Sequence, residues 1–251
     1  MNLLIFEEHD FIAKDEIFVG AQKAKHLQTV LRADIGSKIK LGQLNGKIGI
    51  GEIKSFMDGG AVVEIKELNK DSPQPEFDLV LALPRPQMLK RILENITTFG
   101  VRKLYLINSK RVEKSFFSSP VLKPENLKKH LLIGLEQATV TILPEVETFS
   151  RFRDFTARVL TGKHPEERLK IIAHTTGSIS LAQFASRHKN GFSRSNDIIT
   201  AAIGPEGGWI DSEAEEFERF GFVRVSLGER ILRVETAVCA LLAQIQVLKQ
   251  I

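Results

Sequence analysis

Two regimes of hydrophobic patterning meet near residue 72. Before that point apolar residues fall in short alternating runs, at 3–6, 16–19, 38–44, 47–53 and 61–68, and each run predicts a strand. Asn45-Gly46 and Asp58-Gly59-Gly60 between the later runs are hairpin signals. The one break in this rhythm is 21–32, where apolar positions 24, 27, 30 and 31 have helical spacing. Short strands joined by tight turns predict a small barrel.

The polar, proline-bearing stretch 69–77, NKDSPQPEF, reads as a linker and divides the chain into residues 1–72 and 73–251. Beyond it, apolar runs at 78–83, 103–107, 169–175, 198–203 and 222–227 alternate with helical spacing, which predicts a mostly parallel α/β sheet. Residues 86–99 place Met88, Leu89, Ile92, Leu93, Ile96 and Phe99 on one face, and Gly100 ends the helix. A long insertion carries helical segments at 124–140 and 151–160, while HPEER and SRHKNGFSRSND read as surface loops. The final helix, 233–249, presents a stripe from Val234 through Leu241 and Leu242 to Leu248, suited to core packing or to a subunit contact.

Composition narrows the class. With 251 residues, 43% hydrophobic and 26% charged, the chain has the balance of a globular protein with a substantial core. No run approaches the ~18 apolar residues of a membrane span, and MNLLIFEEHDF lacks the basic start of a signal peptide. The net charge of +4 mildly favours a polyanionic partner. Cys239 is the sole cysteine and lies in an apolar helical stretch, so it reads as an inert thiol in a reducing compartment, the cytoplasm. Six histidines, at 9, 26, 130, 164, 174 and 188, show no ligand spacing, so no metal is expected.

Two glycine loops concentrate the candidate chemistry. Ile203-Gly204-Pro205-Glu206-Gly207-Gly208 follows one predicted strand, and Leu227-Gly228-Glu229-Arg230-Ile231-Leu232-Arg233 follows the next. Ser212 with Glu215 reads as a capping box for the helix between them. Ligands of parallel sheets sit at carboxyl ends of strands, so the loops are candidate walls of one pocket. Neither loop is a P-loop or a dinucleotide fingerprint.

Gly204-Pro205-Glu206-Gly207-Gly208, Leu227-Gly228, Arg230-Ile231-Leu232-Arg233 and Glu235-Thr236-Ala237 together resemble the C-terminal signature of the RsmE family of SPOUT methyltransferases, enzymes that methylate N3 of a uracil in 16S rRNA. His26-Leu27-Gln28-Thr29-Val30-Leu31-Arg32 is similar to a segment of that family's N-terminal barrel. The resemblance implies an α/β fold: a SPOUT-type trefoil-knotted, mostly parallel sheet at 73–251, and a PUA-like RNA-binding β-barrel at 1–72. It further implies S-adenosyl-L-methionine as cofactor, 16S ribosomal RNA or the small ribosomal subunit as substrate, and a homodimer through the knotted domain. Cofactor contacts would come from His174, Thr175, Gly204, Pro205, Glu206, Gly207, Leu227, Gly228, Ile231 and Leu232. RNA contacts would come from Lys23, Lys25, His26, Arg32, Arg85 and Gln137.

Methyl transfer to uracil N3 requires in-line positioning, an acceptor for the N3 proton, and stabilisation of charge on the ring oxygens. Arg233 and Arg230 are the candidate charge stabilisers or phosphate anchors, because guanidinium forks fit both anions. Glu206 and Glu235 are candidate acid/base or positioning carboxylates, and Glu235 equally suits pairing with a neighbouring Arg. Thr98-Phe99-Gly100 and Val140 depart from the family pattern, which usually has Glu-Leu-Gly and an Arg there. A different RNA target, a ribose 2′-hydroxyl acceptor and a non-catalytic RNA-binding role therefore stay open.

Overall fold

The computed structural model describes residues 2–161, 169–177, 179–187 and 198–249. The loops expected at HPEER and at SRHKNGFSRSND fall mostly outside them. The chain forms two compact units, residues 1–74 with 132–143, and residues 75–131 with 144–251.

The first unit is built on β1 (Leu4–Phe6), β2 (Phe11–Ala13), β3 (Glu16–Gly20), β4 (Lys38–Gln43), β5 (Ile48–Met57) and β6 (Gly60–Lys70), with helix α1 (Ala21–Thr29) after β3. They form one six-stranded sheet in the order β1-β4-β5-β6-β3-β2. Only β1 and β4 pair in parallel. Leu4, Phe6, Ile17, Val19, Leu27, Leu41, Ile53 and Val63 fill its core. The β4–β5 turn is the expected one: Asn45 takes φ 58°, and the Gly46 N–H donates to the Gln43 carbonyl.

Helix α1 stops at Thr29, short of the expected Arg32. The Val30 and Leu31 N–H groups both turn back to the His26 carbonyl, and Arg32 takes φ 50°. The chain reverses there, so Val30 and Leu31 are 62% and 46% exposed instead of joining the buried stripe of Ala24 and Leu27. Residues 132–143 add a second small core, in which Leu132, Leu135, Val140 and Leu143 pack with Leu3, Ile5 and Ile48. The Thr141 N–H donates to Ser72 Oγ at 3.0 Å, which ties that segment to the strand exit.

The second unit is a seven-stranded sheet with every pairing parallel. Its strands are β7 (Phe77–Ala82), β8 (Val101–Ile107), β9 (Glu145–Phe149), β10 (Lys170–Ala173), β11 (Ile179–Ser180), β12 (Ile199–Ile203) and β13 (Val223–Ser226). The order is β11-β13-β10-β12-β7-β8-β9. Five of these strands were expected; β9 and β11 were not. Both are edge strands, β11 has two residues, and β9 (EVETF) buries only Phe149, so neither carries the apolar run of a central strand.

The further α-helices among the described residues are α2 (Pro86–Thr98), α3 (Pro124–Ala138), α4 (Phe152–Phe155), α5 (Leu181–Arg187), α6 (Asp211–Arg219) and α7 (Val234–Lys249). Pro86 opens α2 with its fixed φ, and Gly100, at φ 73°, follows its end. The stripe of α7 is core: Val234, Val238, Leu241, Leu242 and Ile245 are buried within the unit itself, and Gln246 donates to the Phe99 carbonyl at 3.2 Å. Leu241 and Leu242 are therefore not a free subunit contact. The start of α6 also differs from expectation. Its cap is Glu213, not the Ser212–Glu215 pair, because the buried Glu213 carboxylate accepts the Ile210 N–H at 3.2 Å and the Lys110 N–H at 2.7 Å. Among the described residues no helix is long and apolar enough to cross a membrane.

Candidate active site

Three neighbouring strands, β13, β10 and β12, end side by side. Their carboxyl ends and the segment after β13 form an open cleft. Ala173, His174 and Thr175 line it from β10, Ile203 and Gly204 from β12, and Ser226, Leu227 and Gly228 from β13. Arg230, Ile231 and Leu232 follow in the same wall, and Val234 and Ala237 of α7 form the base.

Backbone freedom shapes these walls. Gly228 sits at φ 130°, which side chains rarely adopt. A Cβ on Gly204 would lie 3.0 Å from the Trp209 nitrogen, so the loop closes tightly there. Ile231 is 85% exposed at the rim, an apolar side chain suited to cover a flat ligand face.

The structure brings together seven of the ten expected cofactor residues: His174, Thr175, Gly204, Leu227, Gly228, Ile231 and Leu232. Pro205, Glu206 and Gly207 are outside the cleft wall. Their part of the loop faces the ends of β7 and β8 instead, where Glu206 Oε1 accepts the Arg85 N–H at 3.0 Å and Arg111 donates to the Gly207 carbonyl. Arg111 went unnoticed in the sequence because it belongs to no motif; its position just past the end of β8 was the available signal.

Of the candidate catalytic groups, only Arg230 lines the cleft. Arg233 is exposed at the start of α7, and neither it nor Arg230 forms an ion pair among the described residues. Glu235 occupies the first turn of α7, where a carboxylate complements the helix dipole. His174 is half-buried. Burial first, and then the Arg224 charge, hold its pKa below the ordinary value.

Among the expected RNA contacts in the first unit, Lys23 is engaged structurally. Its Nζ donates to the Ile5 carbonyl at 2.6 Å and pairs with Glu136 at 3.2 Å. The Gln137 carbonyl accepts from Asn2 Nδ2. His26 is half-buried, and Lys25 and Arg32 are exposed. Arg32 lines an open groove together with Lys38 and Lys40, two cations absent from the expected set. Arg85, in the second unit, is exposed at the N-cap of α2. Among the described residues no three His, Cys, Asp or Glu side chains gather as a metal site.

A parallel α/β sheet with a glycine-walled cleft at three adjacent strand ends defines a class of protein that binds a small ligand at its loops. Residues 70–246 match the RNA methyltransferase domain family model, and the chain belongs to that family. It is 29% identical to ribosomal RNA small subunit methyltransferase E of Treponema pallidum over 96% of this chain and 88% of that protein. It is 26% identical to ribosomal RNA small subunit methyltransferase E 1 of Borreliella burgdorferi over 96% and 95%. A crystal structure of ribosomal RNA small subunit methyltransferase E from Neisseria gonorrhoeae bound to S-adenosyl methionine shares the fold, with TM-score 0.74, 23% identity and 98% of both chains covered.

Proposed function

We propose that this chain is an S-adenosylmethionine-dependent methyltransferase that modifies N3 of a uridine in 16S ribosomal RNA. The observation that carries the reading is the cleft: seven residues named from the resemblance line one cavity, in a chain of the RNA methyltransferase family. The cavity suits the cofactor chemically. Ile203, Leu227, Ile231 and Leu232 offer apolar faces to an adenine ring, while Gly204 and Gly228 open backbone groups to its edge and to the ribose. When bound, the cofactor supplies an electrophilic methyl group.

The chain's own groups supply positioning and charge. Arg230 at the cleft and Arg233 just beyond it are two exposed guanidinium forks of the kind that suit a uracil oxygen or an RNA phosphate. Glu206 accepts the Arg85 N–H outside the cleft wall, which favours a loop-holding role over proton transfer. The names of the relatives support a small-subunit ribosomal RNA substrate. Val140, where the family usually has an Arg, packs in the small core beside Leu135, so that cation is not replaced there.

The rest of the reading follows. The first unit, a PUA-like barrel, contributes RNA affinity, supported by its six-stranded sheet and by the Arg32, Lys38 and Lys40 groove. The second unit is SPOUT-type with a C-terminal trefoil knot, supported by the order β13-β10-β12-β7, in which the last strand returns beside β10. It forms a homodimer, consistent with Val247 of α7 being 57% exposed, and it works in the cytoplasm, where its substrate is made.

Calorimetry of the purified chain with S-adenosylmethionine and its demethylated product tests the reading. Binding of both is expected, and heat from neither would contradict it. Sedimentation at micromolar concentration tests the homodimer; a monomer would remove that part.

A further inference from the structure

Gly207 has no backbone reason to be glycine. Its φ lies outside the left-handed region, unlike that of Gly208 at 72°. What excludes a side chain there is Arg111. A Cβ on Gly207 would lie 3.0 Å from Arg111 Cδ and 3.4 Å from Arg111 Cβ, so the arginine stem lies flat on the glycine backbone. Arg111 Nη1 then donates to the Gly207 carbonyl. Stem and guanidinium therefore grip one residue, 96 positions away in sequence.

Arg111 is itself fixed at its base. Ser109 and Val112, close to it on either side, are 6% and 8% exposed. The Asn108 N–H donates to the Phe149 carbonyl of β9 at 2.9 Å, and the Lys110 N–H to the Glu213 carboxylate of α6 at 2.7 Å. The segment that leaves β8 is thus bonded to β9 and α6, and the exposed Arg111 side chain extends from it over the loop after β12. Among the described residues Arg111 makes no ion pair, so no carboxylate competes for the guanidinium.

A grip on Gly207 is felt at the cleft. Gly204 lines the cleft wall, and the next turn of the loop packs directly on it. A Cβ on Gly204 would meet the Gly208 carbonyl carbon at 3.3 Å and the Trp209 nitrogen at 3.0 Å. The turn is closed by the Gly208 N–H, which donates to the Pro205 carbonyl at 2.8 Å. A shift of Gly207 therefore carries Gly208 against, or away from, Gly204.

We propose that Arg111 is a positioning residue for the cofactor: it clamps Gly207 to the end of β8 and, through Gly208, keeps the Gly204 wall of the cleft in the shape that receives an adenosyl ligand. This rests on the reading that the cleft takes S-adenosylmethionine. The physical basis is preorganisation. Without the clamp the loop spreads over further conformations, and the apparent Kd rises by the inverse of the fraction that still binds. A hydrogen bond from a charged donor outweighs a neutral one, and its loss corresponds to about a tenfold fall in that fraction.

Trp209 is the chain's sole tryptophan and follows the clamped turn, so its fluorescence reports the loop. At 3% exposure it is shielded while the clamp holds. Two substitutions separate the parts of the arginine. Arg111→Met keeps an apolar stem for Gly207 and removes the donor. Arg111→Lys keeps the stem and one donor.

The experiment is titration calorimetry of the full chain with S-adenosylmethionine and, separately, S-adenosylhomocysteine, beside acrylamide quenching of Trp209. Arg111→Met is expected to raise Kd for both ligands about tenfold and to increase quenching in the free protein, with quenching returning to the wild-type level at saturating ligand. Arg111→Lys is expected to stay within about threefold of the wild-type Kd. At saturating cofactor, both variants are expected to keep the wild-type KM for small ribosomal subunits. Unchanged Kd or unchanged quenching in Arg111→Met would overturn the proposal. So would equal losses in Arg111→Met and Arg111→Lys, or a raised KM for RNA at unchanged cofactor affinity, which would make Arg111 an RNA contact. If Arg111→Met fails to fold, the wild type decides: its Trp209 quenching should be the same with and without S-adenosylhomocysteine, because the wall is preformed, and a marked change on binding would overturn the proposal. Wild-type protein that binds neither ligand would instead overturn the cofactor reading.

Discussion

The Glu206 carboxylate accepts the Arg85 backbone N–H at 3.0 Å, which joins the glycine loop after β12 to the start of α2 after β7. Glu206 is therefore occupied in holding backbone, and this sets a clear expectation for its removal. Glu206→Gln preserves an acceptor and should leave cofactor affinity and turnover nearly unchanged. Glu206→Ala should cost about 1 kcal/mol of stability, the usual worth of one hydrogen bond. Single-turnover kinetics checks the role; a hundredfold rate loss in Glu206→Gln with unchanged binding would make it a proton acceptor instead.

Arg233 is exposed at the start of α7, beside the cleft segment that carries Arg230 and Leu232. If its guanidinium stabilises charge on the uracil ring, Arg233→Ala should retain cofactor binding and lose about 10²–10³ in rate. Arg233→Lys should recover little, since a point charge does not replace a fork. A raised KM for RNA at unchanged turnover would mark a phosphate anchor. Unchanged rate and unchanged RNA affinity would remove it from the site.

Much of the site was legible because the glycine loops and their spacing are local features. The two walls at Gly204 and Leu227-Gly228 follow from strand ends and turn chemistry, and the cleft is where these predict it. What escaped depends on long-range packing. Arg111 gains meaning only because the Gly207 carbonyl comes to it from 96 residues away. Val30 and Leu31 have helical spacing, but the reversal at Arg32 turns them outward. Residues 132–143 read as part of the second domain's insertion, yet Leu132, Leu135 and Val140 pack with Leu3 and Ile5 of the first unit. The cap of α6 was misplaced by two residues because burial of Glu213 against Lys110 decided it.

Asp78 is 2% exposed on the central strand β7 and receives a bidentate fork from Arg102, at 2.9 and 2.6 Å. Breaking a buried pair from one side strands the other charge and typically costs about 3–5 kcal/mol. Asp78→Ala should fall in that range by denaturant unfolding. A loss below about 1 kcal/mol would show that Arg102, itself about 30% exposed, finds water instead.

Glu64 on β6 lies 2.6 Å from Lys54 and 2.8 Å from Lys66, and these two cations lower its pKa from 4.5 to about 2. The folded state thus favours the charged carboxylate. Its contribution is complete above pH 4.5 and is lost as the pH falls towards 2. NMR titration should place the Glu64 midpoint near the lower value, and added salt should move it upward, since the group is at the surface. A midpoint at 4.5 would mean that the triad does not persist in solution.

In the first unit, Lys38 and Lys40 share a groove with Arg32. Removing one cation that touches a phosphate should lower the salt slope of RNA binding by about one. Lys38→Ala with Lys40→Ala should therefore lower it by about two, measured by filter binding over a range of salt. An unchanged slope would place the RNA elsewhere.

The central claim is that this chain transfers a methyl group from S-adenosylmethionine to N3 of a uridine in 16S ribosomal RNA. The most direct measurement incubates small ribosomal subunits from a strain lacking the gene with the purified chain and methyl-labelled S-adenosylmethionine, then digests the RNA for nucleoside mass spectrometry. Labelled 3-methyluridine, absent without the protein, is the expected result. Label on a ribose 2′-oxygen or another base, or no label from protein that binds the cofactor, would contradict the account.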